Sequence, residues 1–423
     1  MERSKENGAN MRTAIGHDNS SVASGPLAGL RIIDLTLAMA GPLSTQRLAD
    51  MGAEVIKVEG PSRPDFTRSA PMADVHLGGE TTPYLTLNRN KKSLALDLKA
   101  KAGRDVLYRL VETADAVVQN FRPGVAGRLG IGYATLAAIK PDLVYVSISG
   151  YGDEGPMVAR PGQDLLVQAF SGLTWNAGSK DALPHPSPVY MVDVMASHLA
   201  SEGVMAGILQ KLRTGKGSEV KVSLLGAAIE VQIQELSTYL TTGREAPRGA
   251  QPYASTWMEP PYGIYRTADG WIAIAQSSLA AIAEVLGSER LKQLSTEKPQ
   301  DLEDRGGINE WRDRIYPVVA DAILSWKTED AITSFFAAGI WSGPVNDYAD
   351  VKTHPQFASY FVTYDHPRAG TITTTAPSVR FSTDPSPEIR GAPRLGEHTL
   401  EVLGELGYSR EETDALLASG AAA

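Results

Sequence analysis

Apolar positions along this chain fall first into short continuous runs and then into helical spacing, and the two patterns alternate from residue 30 onward. LRIIDLT (30–36) is a β-branched run of strand length. PLSTQRLADMG (42–52) has helical spacing, with Pro42 suited to a first turn and Gly52 to a C-terminal cap. EVIKVE (54–59) is again a strand, so the three segments predict a βαβ unit of parallel sheet. LALDL (94–98), DAVVQNF (115–121), DLVYVSISG (142–150) and SEVKVSLLG (218–226) continue the strands. Helices are predicted between them at 102–114, 133–139 and 198–217. Such alternation over about 200 residues predicts a large doubly wound, Rossmann-like α/β domain.

Past residue 230 the pattern changes. PPYGIYRTADGWIAIAQ (260–276) reads as a hairpin around Asp269-Gly270, followed by helical stretches at 278–293 and 309–339. YFVTYDH and TITTTA form a second alternating pair around Pro367 to Gly370, and 396–420 reads as two short helices. The expected organisation is a disordered leader (1–25), a large α/β domain (26–225), a smaller α+β domain (226–345) and a C-terminal segment (346–423) returning to the large domain.

Composition narrows the chemistry. The apolar and charged fractions, 43% and 21%, are those of a globular protein. A net charge of −9 and a pI near 5.4 argue against nucleic-acid or anionic-membrane binding, while leaving room for a local basic patch. With no cysteine, thiolate nucleophiles and thiolate metal sites are excluded. The first 25 residues lack the apolar core of a signal peptide, and no run of about 18 apolar residues occurs, so a cytoplasmic protein is expected.

The chemistry-bearing positions are few. In PVYMVDVMASHLA (188–200), Asp193 stands at the end of an apolar run. Two readings stay open: a carboxylate that N-caps the following helix, or a nucleophile kept ionised by the N–H groups of that helix start. The first βα turn, LTLAMAGPLSTQ, has one glycine, so the GxGxxG dinucleotide motif is absent. HExxH, EF-hand, Walker A and GxSxG patterns are absent too, and the seven histidines lack metal-ligand spacing. Three stretches, 88–99, 119–130 and 151–164, offer Lys99, Arg122, Arg128 and turn amides to a phosphate-rich ligand. Asn120-Phe121 sets an amide beside an aromatic ring, a pairing suited to a planar heterocycle.

Seven segments in order resemble the class III CoA-transferases, the family of formyl-CoA transferase and the carnitine-related CoA-transferases. They are GLRIIDLTLAMAGPLSTQRLADMGAEVIKVE, LNRNKKSLALDLK, QNFRPG followed by Arg128, SISGYGDEGP, QAFSG, MVDVMASHLA and APRLGEHT, spanning Pro26 to Thr399. The resemblance implies that Asp193 attacks an acyl-CoA thioester to give an aspartyl anhydride and then an aspartyl-CoA thioester. It implies CoA contacts at Met39, Ala40, Leu96, Asp97, Leu98, Lys99, Asn120, Phe121, Arg122 and Arg128. Pro161 to Asp164, including Gln163, should border the thioester. CoA and acyl-CoA enter as substrates rather than resident cofactors, a small carboxylic acid is the acceptor, no metal is needed, and the assembly implied is an interlocked homodimer.

Departures from formyl-CoA transferase narrow the substrate. Met39, Gly60 and Pro161 replace its Gln, Arg and Lys, Ser69-Ala70 follows Arg68 where it has a tryptophan, and its glycine-triplet lid has no match. Formate and oxalate are therefore not expected. Two alternatives share the fold: a 2-methylacyl-CoA racemase, opposed by Gln163 standing where a proton-shuttling histidine is required, and a non-catalytic acyl-CoA binder, opposed by the intact Asp193.

Overall fold

The computed structural model describes residues 24–301, 304–382 and 388–423. The expected leader lies outside the described residues except for Ser24 and Gly25. The chain forms two compact units, one from residues up to 167 with 190–231 and 359–423, the other from 168–189 and 232–358.

The first unit is built on six parallel strands: β1 (Arg31–Asp34), β2 (Glu54–Glu59), β3 (Lys91–Ala95), β4 (Ala116–Gln119), β5 (Val144–Ser149) and β6 (Ser218–Ser223). Their spatial order is β3-β2-β1-β4-β5-β6, the dinucleotide-fold order, despite the missing glycine motif. Successive residues of a strand face opposite sides of the sheet. Ile33, Ile56, Leu94, Val117 and Tyr145 therefore share one core with helix α2 (Lys101–Glu112), helix 133–139 and the C-terminal helices. On the other side, Gly203 and Gly207 of helix α3 (Met191–Thr214) approach Val220 and Val144 closely. Helix α1 (Ala40–Asp50) packs on α3.

Two departures from the expected elements have physical causes. β3 begins at Lys91, three residues before the expected apolar run, because Lys91 is fully buried against Asp34 rather than solvated. Helix α3 begins at Met191, so Asp193 lies inside its first turn.

β3 is an edge strand, and the C-terminal segment closes it. The Ser93 amide donates to His398 Nδ1 at 3.2 Å and the Ala95 amide to Thr399 Oγ1 at 3.1 Å. Gly396 donates to Ser93 Oγ, and Leu96 pairs antiparallel with Ala422. This gives the APRLGEHT motif a structural role: Gly396 has φ +70, and a Cβ there would lie 2.6 Å from the Ala423 carbonyl oxygen. Unpaired strand edges are otherwise open to other chains.

The second unit carries a three-stranded antiparallel sheet, 342–344, 271–274 and 263–266, backed by helices at 279–285, 289–296, 305–323 and 328–337. Its core includes Tyr265, Ile272, Trp311, Ile315 and Phe335. The single helix expected at 278–293 is broken at Gly287 (φ +61), after which Ser288 caps the next helix. Among the described residues, no helix is long and apolar enough to cross a membrane.

Candidate active site

In a parallel sheet each crossover helix starts at the carboxyl edge of the strands and runs back. Topology therefore gathers Met39 and Ala40 at the start of α1, 96–99 after β3, 120–122 after β4, 150–163 after β5, and Asp193 at the start of α3 on one edge. Ligands of open α/β sheets bind at that edge, where the strand order reverses. Here the reversal lies between β1 and β4.

The first βα turn is locked at this point. The Leu37 amide donates to Asn120 Oδ1 at 2.9 Å, and Asn120 Nδ2 donates back to the Leu37 carbonyl at 2.7 Å. Ala38 takes a left-handed φ of 68°, and Gly41 is forced, since a Cβ there would sit 2.3 Å from Thr36 Cβ. Beneath the turn lies a buried charge network. Asp34 accepts from Thr36 Oγ1 (2.5 Å), Thr45 Oγ1 (2.7 Å) and Lys91 Nζ (2.9 Å). Lys57 Nζ donates to the Thr36 carbonyl at 2.8 Å and to Asp65 at 3.0 Å. Burial opposes the Asp34 charge, but the Lys91 and Lys57 ammonium groups overcome it and hold this carboxyl well below the usual range. Arg68 forks onto Glu59 at 2.9 and 2.7 Å.

This network divides the cations of the basic stretch 88–99 between the interior and the surface. Lys91 is bound internally, and Arg89 forks onto Asp50 at 3.0 and 2.6 Å. Of that stretch's cations, Lys99 is the one that is exposed. The Leu96 side chain is buried in the core, so only its backbone can meet a ligand. Asp97 accepts from the Lys99 amide at 3.0 Å and shapes the turn. Leu98 and Phe121 pack partly against the same core. Arg122, Arg128 and Gln163 are exposed. The loop after β5 closes on itself through Gly150 and Gly162, which are so close that a Cβ on either would overlap the other's Cα.

Asp193 is half-buried at the third position of α3. It does not cap the helix. The N-cap residue is Tyr190, whose side chain makes no cap bond. The Val192 and Asp193 amides instead donate to Asp164 Oδ2 at 2.8 and 2.9 Å. Asp164, expected to border the ligand, is buried and serves as the cap from 28 residues upstream. The donors expected to keep Asp193 ionised are thus spent on Asp164, and among the described residues no donor reaches the Asp193 carboxylate. Burial, and then the Asp164 charge, push the Asp193 carboxyl up to about 7. A basic, poorly solvated carboxylate is a stronger nucleophile than an ordinary one.

Sequence reasoning passed over Arg104 and Tyr108. Arg104 Nη1 donates to the Leu98 and Lys99 carbonyls, and Tyr108 donates to the Gly130 carbonyl. Their i, i+4 spacing on a helix opening just after Lys99 was the available signal. Among the described residues, no group of acidic and histidine side chains is arranged to hold a metal ion.

Comparison with known proteins fits this geometry. Residues 27–399 match the family model described as CoA-transferase family III. Human succinyl-CoA:glutarate CoA-transferase is 34% identical, with 93% of this chain and 89% of that protein covered. The succinate–glutarate CoA-transferase of Agrobacterium fabrum is 31% identical, with 90% and 96% covered. The crystal structure of a CAIB/BAIF family protein from Brucella suis superposes with a TM-score of 0.76 at 28% identity, covering 90% of this chain and all of that one. The match over most of the chain, joined to an acidic side chain at the opening of α3, settles the family: this chain belongs to CoA-transferase family III.

Proposed function

We propose that Asp193 is the covalent nucleophile of a CoA transfer from succinyl-CoA to a small dicarboxylic acid of the glutarate type. The observation that carries the reading is the Asp193 carboxylate itself: at a helix start, half-buried, with no donor among the described residues reaching it and its proton affinity raised to about 7. The acid pair follows the names of the similar transferases.

An Asp193 oxygen attacks the thioester carbonyl, the C–S bond breaks, and CoA thiolate leaves behind a mixed anhydride. The thiolate then attacks the aspartyl carbonyl and releases the donor acid, giving aspartyl-CoA. The acceptor carboxylate attacks that thioester and expels the thiolate again. Attack of the thiolate on the acceptor acyl carbon yields the new acyl-CoA and restores Asp193. No external acid, base or metal is consumed. Exclusion of water protects the anhydride from hydrolysis.

Met39, Ala40, the Leu96 backbone, Asp97, Leu98, Lys99, Asn120, Phe121, Arg122 and Arg128 hold CoA in this reading, with Gln163 beside the thioester. Two cationic side chain types suit its phosphates through charge-assisted bonds. An interlocked homodimer is the proposed assembly, tested by sedimentation. A racemase would need an acid/base group where the exposed Gln163 stands. The decisive experiment incubates the protein with succinyl-CoA, adds hydroxylamine or borohydride, and maps the adduct by mass spectrometry. Modification at Asp193 together with product acyl-CoA is expected. Exchange of the substrate's α-hydrogen without an adduct would move the assignment to a racemase, and CoA binding with neither would leave a passive binder.

A further inference from the structure

Asp193 and the basic residues expected to bind CoA stand on opposite faces of the sheet. The helix bearing Asp193 packs on the Val144 side through Gly207, whereas α2, which follows Lys99, shares the core on the Tyr145 side. An extended ligand with its reacting sulfur at Asp193 must therefore pass over the carboxyl edge, placing its far, phosphorylated end near the start of α2. Two separate segments carry exposed cations there: the turn of Lys99 after β3, and the turn from Gly124 to Gly130 that holds Arg128. They come from strands that are not neighbours, since β2 and β1 lie between β3 and β4.

One face of α2 ties both segments down. Arg104, in the first turn, is half-buried, and its Nη1 donates to the Leu98 carbonyl at 3.1 Å and the Lys99 carbonyl at 2.7 Å. Among the described residues no carboxylate pairs with it, so its role is toward these carbonyls. One turn later, Tyr108 donates its hydroxyl to the Gly130 carbonyl at 2.8 Å. Gly130 has φ +73, and a Cβ there would come 3.0 Å from that hydroxyl and 3.8 Å from Arg104 Cδ, so the turn is seated on both side chains.

We propose that Arg104 and Tyr108 are positioning residues that fix the spacing between Lys99 and Arg128 to match the nucleotide phosphates of CoA. They act through the backbone of the two cationic turns. This rests on the reading that Lys99 and Arg128 contact CoA. Because phosphates separated by fixed covalent geometry are recognised best by preorganised cations, loosening either turn weakens CoA binding while leaving the reacting groups on the other face untouched.

The test compares Tyr108→Phe and Arg104→Leu with Lys99→Ala and Arg128→Ala, using succinyl-CoA and the nucleotide-free donor succinyl-pantetheine. Affinity for free CoA is measured in parallel by calorimetry. Loss of the single Tyr108 hydrogen bond predicts a rise of about fivefold in KM for succinyl-CoA and in Kd for CoA, and loss of both Arg104 bonds at least as large a rise, with kcat unchanged and no effect on succinyl-pantetheine. Adding Arg104→Leu to Lys99→Ala should cost little more than Lys99→Ala alone. Penalties that fall equally on both donors or on kcat, or no penalty where Lys99→Ala and Arg128→Ala show one, overturn the inference alone. If Lys99→Ala and Arg128→Ala also leave CoA binding intact, the placement of CoA on these turns falls with it.

Discussion

Replacing Asp193 by asparagine removes one ionisable proton site and almost no volume. A carboxyl that holds its proton more tightly in the fold than in the open chain stabilises the fold fully below its unfolded pKa, and that contribution is lost as pH rises through its folded value. For Asp193 the window runs from the ordinary 3.8 to about 7. At about 1.4 kcal/mol per tenfold change in proton affinity, the ionised side chain costs the fold up to roughly 4 kcal/mol above pH 7. Half-burial and local relaxation trim that figure, so Asp193→Asn should stabilise the protein by about 2–4 kcal/mol at pH 8. At pH 5 the wild-type carboxyl is protonated in the fold and the gain shrinks below about 2 kcal/mol. The assay is urea unfolding of both proteins at the two pH values, alongside transferase activity. A variant without activity yet more resistant to urea at pH 8 is the expected result. A variant less stable than wild type at pH 8, or a gain that does not shrink at pH 5, would refute the placement of a strained anion at this helix start.

Because the attacking form is the anion, kcat/KM should climb about tenfold per pH unit below 7 and level above it. In Asp164→Asn, which keeps an oxygen for the Val192 and Asp193 amides but loses the charge, that limb should move to lower pH, and an unmoved limb would remove Asp164 from the tuning of Asp193. Lys91→Met leaves Asp34 short of its closest cation and should cost about 3–5 kcal/mol in urea unfolding. Gly41→Ala forces a methyl group against Thr36 and should cost about 1–3 kcal/mol while raising KM for the CoA ester, since Met39 and Ala40 move with the turn.

The strands of the large unit were legible where β-branched residues cluster, as Val55, Ile56 and Val58 do in β2 and Val144, Val146 and Ile148 in β5, because such side chains fit the pleated, buried surface of a sheet. β3 was misplaced because its first two residues are lysines. A buried lysine is intelligible only once its partner is known, and Asp34 lies 57 positions away. Asp193 could be singled out from one segment, since an acid terminating an apolar run stands out locally. Its capping rival could not be dismissed, because the residue that takes over the cap, Asp164, is distant in sequence. The cations of 88–99 look equivalent in the sequence, yet Arg89 and Lys91 turn inward and Lys99 outward, a distinction made by distant partners, Asp50 at the end of α1 and Asp34 on β1.

The seal on the outer strand joins residues about 300 positions apart. At cellular synthesis rates of about 5–20 residues per second, some 15–60 s pass between emergence of that strand from the ribosome and arrival of its cover. Throughout that interval the nascent half-protein offers a bare ladder of amides and carbonyls to any extended segment nearby. A chain of this design places its greatest hazard during manufacture rather than in service, and holdase chaperones that shield strand edges should govern its yield more than its final stability does.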